Sequence, residues 1–201
     1  MKLFSGVPLF AAALLAVLTT GSQAASDIMP TGSRASQPIG HYEFCMRLPS
    51  ECGRLERAAP AVLTRDLWSQ IVRINNVVNL TVTPRTDYEL MGVEEHWAYP
   101  ELYGDCEDFV LEKRRRLIEA GIAAANLLIT VVRQPNGEGH AVLTITTSMG
   151  DFVLDNLNPR VMTWSETQYE YLKRQSAQHA GQWVSINDGR NIAVGSVTAG
   201  R

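Results

Sequence analysis

The hydrophobic period changes at Gly121, and that change restricts the chain to folds that join helices to an antiparallel sheet. Ahead of it, Leu67, Ile71, Ile74 and Val78 recur at i, i+4, i+7 and i+11, one face of a helix over about Thr64 to Leu80. Thr64 is its N-cap and Asp66 lies in its first turn. A second helix is expected from Cys106 to about Ala120. Phe109, Val110, Leu117 and Ile118 form its buried stripe, Lys113 to Arg116 face water, and Gly121 closes it as the C′ residue. Beyond Gly121 the period falls to two. Leu127 to Arg133, His140 to Thr147 and Phe152 to Leu157 read as strands, with turns at 134–139 and 148–151, an antiparallel meander. Helices followed by strands make the fold class α+β.

The remaining stretches are less patterned. Residues 25–40, rich in Ser, Ala, Pro and Gly, read as a flexible leader with no core of its own. Residues 81–104 hold two prolines and two glycines with little periodicity, a long connection of the kind that is often functional. Trp164, Tyr169, Tyr171 and Leu172 suggest a short helix, Gln182 to Ile186 a strand, and residues 191–201 a frayed end. The folded domain is therefore expected over 41–190.

A chain of 201 residues with 45% hydrophobic and 19% charged residues suffices for one domain with a real core. Its net charge of −3 argues against nucleic acid as a partner. Four histidines and three cysteines, with no Cys-x-x-Cys, are too few and too scattered for a zinc site. The first 24 residues read as a signal peptide: Lys2, an apolar run from Val7 to Leu18, and Ser22-Gln23-Ala24 as the cleavage site. That run is short for a bilayer span, so cleavage after Ala24 would leave a periplasmic or secreted protein without a transmembrane anchor. In an oxidising compartment Cys45 and Cys52, seven residues apart, are able to bridge, leaving Cys106 as a free thiol. Pairing of Cys106 with Cys45 or Cys52 is the alternative.

The stretch Tyr103-Gly104-Asp105-Cys106-Glu107-Asp108-Phe109 sets a cysteine at a helix start among three carboxylates. The helix N-terminus favours the thiolate, the reactive form, whereas Asp105, Glu107 and Asp108 oppose it. Either these acids cap the helix, or a cation neutralises them; clustered hard oxygens suit calcium. His140 begins one strand and Asp155 lies near the end of the next, so thiol, imidazole and carboxylate suggest a Cys-His-Asp triad. In a hairpin turning at 148–151, residues 144 and 155 would face each other, and a bulge or register shift would bring His140 within reach of Asp155. The Trp97 indole N–H could join the Cys106 backbone N–H at an oxyanion, although a buried tryptophan more often serves packing. Asn75, Asn76 and Asn79 mark a fraying helix end or, less simply, bond the active-site loop.

Gly-Asp-Cys-Glu-Asp-Phe (104–109), Gly-His-Ala-Val-Leu (139–143) and Val-Leu-Asp-Asn (153–156), with Trp-Ala-Tyr-Pro-Glu (97–101) upstream, resemble the bacterial transglutaminase-like cysteine proteinase family over roughly residues 38–185. The best-known members are periplasmic proteases that release biofilm adhesins. The resemblance implies a papain/transglutaminase-like arrangement, with N-terminal helices and the nucleophile helix packed on an antiparallel sheet. It implies Cys106 as nucleophile, His140 as base and Asp155 as orienting acid, in an exported cysteine endopeptidase acting on a cell-envelope or surface protein. It also implies calcium held by Asp105, Glu107 and Asp108, and an inner-membrane receptor as a possible partner. Acyl transfer to an amine, or a non-catalytic binding module, are the alternatives on the same fold.

Overall fold

The computed structural model describes residues 27–187. The expected signal peptide and the expected frayed C-terminus lie outside them. The elements are β1 (Thr31–Ala35), α1 (Ile39–Arg47), α2 (Arg65–Thr81), β2 (Thr83–Pro84), α3 (Asp87–Met91), β3 (Tyr103–Gly104) and α4 (Cys106–Glu119). They continue with β4 (Leu127–Arg133), β5 (Gly139–Thr147), β6 (Gly150–Leu154), β7 (Met162–Thr163), β8 (Glu170–Ser176) and β9 (His179–Ile186). Seven strands form one sheet in the order β1-β9-β8-β4-β5-β6-β7, every pairing antiparallel. The fold class is the α+β arrangement expected. No helix of the described residues is long and apolar enough to cross a membrane.

α2 begins at Thr64, whose side chain accepts the Leu67 N–H at 3.1 Å. It buries Ile71, Ile74 and Val78 as its spacing predicts. α4 packs on β5 with one face and on α2 with another. Ile71, Val78, Phe109, Leu117, Leu127, Ile129, Leu143 and Ile145 belong to the resulting core. The opposite face of the sheet buries a smaller cluster that includes Met29, Val142, Val153 and Trp164.

Four local expectations are corrected. The leader is not free: β1 pairs with β9, with Thr31 opposite Ile186 and Ala35 opposite Trp183, and Met29 is buried. Composition shows local chain preference, not a strand partner some 150 residues away. Lys113 and Arg114 do not face water; both are buried, because helices and sheet cover α4 on more than one side. The connection 81–104 contains α3, opened by a capping box between Thr86 and Glu89. Tyr169 to Leu172 belong largely to β8 rather than to a helix.

Cys45 and Cys52 form a disulfide, and Cys106 is the free cysteine. The bridge ties α1 to the turn after it. Changing both cysteines to alanine should lower unfolding stability by about 2 kcal/mol in the chain-entropy picture for so short a loop. Urea denaturation of the oxidised protein against the double variant measures it.

Candidate active site

Helix α4 starts at Cys106, which puts the thiol at the positive end of the helix. Asp105 holds the N-cap position, yet its side chain makes no capping bond, and its Oδ1 is buried without a partner. Trp97, almost fully buried, packs over Gly40 of α1; a Cβ there would lie 2.4 Å from the indole, so only glycine allows that approach.

His140 sits at the start of β5, opposite Val132 of β4. β5 and β6 pair with Leu143 opposite Leu154, so Asp155 leaves the end of β6 beside the start of β5. His140 Nε2 lies 2.8 Å from Asp155 Oδ1, with both side chains buried. A carboxylate accepts only, so this bond places the ring proton on Nε2 and leaves Nδ1 as the basic nitrogen of the neutral imidazole. Asp155 Oδ1 also accepts the Leu157 N–H at 2.9 Å, and Oδ2 accepts the Tyr169 hydroxyl at 2.6 Å. The Asp155 carbonyl accepts Asn79 Nδ2 at 2.8 Å. The asparagines of α2 are therefore not simply fraying: Asn79 grips the segment carrying the acid, and the buried Asn75 bonds the Pro159 carbonyl. Burial pushes the Asp155 carboxyl up. The His140 bond and charge, with the Tyr169 and Leu157 donors, outweigh burial and hold it below the usual carboxylate range.

Cys106, Glu107, His140, Trp97 and Lys173 line one cleft of about 410 Å³. The thiol donates to Glu107 Oε2 at 3.1 Å. Burial pushes the Cys106 thiol well above its ordinary value, and the Glu107 charge and hydrogen bond push it further, while the Ala141 backbone N–H works the other way. The Trp97 indole N–H donates to Glu95 Oε2 at 2.8 Å, so it is already engaged.

The acids divide into two sets. Carboxylate oxygens of Asp87, Asp105 and Glu107 lie within 4.8 Å of one another. Asp108 stands apart from that set: its Oδ1 accepts the Ala98 N–H at 2.7 Å and so fixes the stretch after Trp97. Burial, with repulsion from Asp105, raises Glu107 to about 9. Burial, with the charges of Asp105 and Asp87, raises Asp108 to about 8 although the Ala98 N–H opposes it. The cluster fits a hard divalent cation: all donors are carboxylate oxygens, and Asp87 Oδ1 and Asp105 Oδ1 are buried without partners. Asp87 was not legible as a member, since α3 lies in an aperiodic stretch some twenty residues before the nucleophile block. Tyr169 was visible only as an aromatic in a poorly patterned segment.

The chain matches the family profile described as bacterial transglutaminase-like cysteine proteinase, BTLCP, over residues 31–191. No curated protein sequence matches it. Among solved structures it is similar to LapG of Legionella pneumophila. The calcium-bound form is 23% identical with a TM-score of 0.51, over 59% of this chain and 68% of that one. A second LapG structure is 24% identical with a TM-score of 0.50 over the same shares of the two chains. The EGTA-treated form is 22% identical with a TM-score of 0.50, over 63% of this chain and 74% of that one. At such identities the structural likeness speaks for the fold, whereas the profile covers most of the chain. The chain belongs to the bacterial transglutaminase-like cysteine proteinase family.

Proposed function

We propose that this cysteine proteinase is exported and cleaves a peptide bond in a cell-envelope or surface protein, with Cys106, His140 and Asp155 as its triad. The observation that carries the reading is the shared cleft: the free thiol and the imidazole open on it together, and the imidazole is braced from behind by Asp155. Cys106 Sγ attacks the scissile carbonyl after His140 Nδ1 takes its proton. The imidazolium then protonates the leaving amine, and water attacks the thioester in the reverse sequence. Asp155 holds the ring tautomer and the imidazolium charge, itself held by Tyr169 and Asn79. The Cys106 backbone N–H, at the start of α4, donates to the oxyanion. The Trp97 side chain supports the cleft wall, since its N–H is already given to Glu95.

The proposal includes calcium held by Asp105 and Glu107 with Asp87, Asp108 being a brace for residues 97–98. A bound calcium would supply positive charge that lets Asp105 and Glu107 stay ionised beside a thiolate. An inner-membrane receptor belongs to the same reading. So does cleavage of the leader after Ala24, whose residues lie outside those described.

The test is alkylation of the leaderless protein with iodoacetamide across pH, the site mapped by mass spectrometry. With calcium present, Cys106 is expected to label below pH 7, and His140→Ala should slow labelling at that pH at least ~10-fold. Labelling that follows an ordinary thiol near pH ~8.5, unchanged by His140→Ala, would refute the assignment. Incorporation of a labelled amine into protein in place of hydrolysis would favour acyl transfer.

A further inference from the structure

A cavity of about 540 Å³ lies on the other face of the sheet from the thiol. Side chains of neighbouring strand residues point to opposite faces. On β8, Lys173 lines the cleft and Arg174 the cavity; on β4, Val131 lines the cleft and Leu128 the cavity. The cavity is closed by residues 54–60 and by the turn between β8 and β9. Its ionisable lining is Arg54, Arg57, Arg174 and His179, with no carboxylate among the lining residues. That is notable in a chain where 21 acids outnumber 18 bases.

Arg54, Arg57 and His179 keep donors for a ligand, whereas Arg174 is partly engaged. Arg174 is 91% buried, at 9% exposure; its Nη1 donates to Asp151 at 2.8 Å, while its Nε is buried with no partner. That Nε is closed off from solvent, so Arg174 acts on the cavity through its charge and the rest of its guanidinium. Arg54 and Arg57 have no ion-pair partner among the described residues. His179 Nδ1 accepts the Gly181 N–H at 3.1 Å, which places the neutral ring's proton on Nε2 and makes that nitrogen a donor. Leu55, Ala58, Pro60 and Leu128 add an apolar wall.

We propose that this cavity binds a phosphate ester, its phosphate between Arg54, Arg57, Arg174 and His179 and its organic part against the Leu55–Pro60 wall. A single carboxylate is satisfied by one arginine fork. A phosphate dianion accepts several forks at once, and three guanidiniums lining one cavity match that demand. The volume exceeds the need of a bare inorganic ion and falls in the range of about 300–1,000 Å³ that holds small organic ligands. The chemistry is shared by a soluble organic phosphate and a phospholipid headgroup.

Calorimetry with glycerol 3-phosphate, inorganic phosphate and acetate, and co-sedimentation with phosphatidylglycerol or phosphatidylcholine vesicles, test it. The protein is the leaderless chain and its Arg54→Ala/Arg57→Ala double variant, whose changed side chains are exposed. Glycerol 3-phosphate should bind more tightly than inorganic phosphate, acetate should not bind, and the double variant should weaken binding at least ~10-fold. Iodoacetamide labelling of Cys106 should be unchanged in that variant, so the result is read independently of the proteinase site. Phosphatidylglycerol-specific sedimentation without binding of the soluble ester identifies the headgroup as the source and also supports the site. No binding in either arm, equal binding of acetate or of an acidic peptide, or binding indifferent to the double substitution overturns it.

Discussion

Asp155→Asn is expected to reduce peptidase activity about 10³- to 10⁴-fold while leaving the protein folded. The reason lies in the donor count around the carboxylate. Its two oxygens receive the His140 Nε2–H, the Leu157 N–H and the Tyr169 hydroxyl. An asparagine offers one oxygen and one NH₂ group, so at least one of these donors must meet another donor. Tyr169 is able to rotate its hydroxyl and accept, and Leu157 is fixed by the backbone. The amide oxygen therefore stays on His140 and Leu157 with the NH₂ on Tyr169, and what is lost is the negative charge that stabilises the imidazolium formed when Nδ1 takes the thiol proton. The loss should appear in kcat rather than KM, because the substituted group lies behind the imidazole and not in the cleft wall. Steady-state kinetics on a cleaved envelope-protein segment, with circular dichroism as the control, measure it; a variant within ~10-fold of the parent removes Asp155 from the mechanism. Tyr169→Phe, which deletes one donor and leaves the carboxylate, should cost far less, on the order of 10-fold.

In calcium-free buffer the protein should lose thermal stability between pH 5 and pH 7, and calcium should restore it. Glu107 and Asp108 are raised to about 9 and about 8 in the fold, far above the ordinary 4.5 and 3.8. The folded chain therefore keeps two protons that the unfolded chain releases. That contribution is fully present below about pH 4 and is lost as pH rises toward 8–9. His41 opposes it. Burial and then the Arg114 charge lower this histidine from 6.5 to about 4, so between those values it makes the fold more stable as pH rises. Two protons kept against one released leaves a net loss up to about pH 6.5 and a steeper one beyond. Burial lowers Lys113 to about 7, and its effect, a gain in stability with rising pH, belongs to the range above pH 7. At roughly 1.4 kcal/mol per proton and pH unit, the change from pH 5 to 7 is about 2–3 kcal/mol, or roughly 5–10 °C in Tm. Scanning calorimetry in EGTA and in millimolar calcium separates the cases. A Tm that rises over this range in EGTA would show that these acids do not keep their protons, and curves that coincide with and without calcium would show that they hold no cation.

The fold class was legible because each element carries its own period. α2, β4 and the Cys106 helix lie within a residue or two of the stretches read from spacing and caps. The contact between His140 and Asp155 was legible only in part, and the reason is one glycine. A four-residue turn at 148–151 would have set residue 144 against 155. Gly150 takes a φ of +119°, which lets the chain turn in two residues, and Thr144 faces Val153 instead. The shorter turn moves Asp155 toward the start of β5, where His140 stands. Asp87 and Tyr169 could not be found this way, because what brings them to the site is the path of long connections and not a local pattern. Lys113 was misread for a related reason: a run of basic residues implies a wet face only when the helix has one.

The Cys45–Cys52 bridge bears on how the chain comes to keep Cys106 as a free thiol. Under the proposed export three thiols enter an oxidising space, and two of the three possible pairings would consume Cys106. Cys45 and Cys52 are separated by seven residues, whereas Cys52 and Cys106 are separated by 106 − 52 = 54. With closure probability falling as the three-halves power of loop length, the short pairing forms about 20 times more readily in the unstructured chain. The local bridge is thus expected to form before the long-range contacts that build the site, so that the order of oxidation spares the proposed nucleophile.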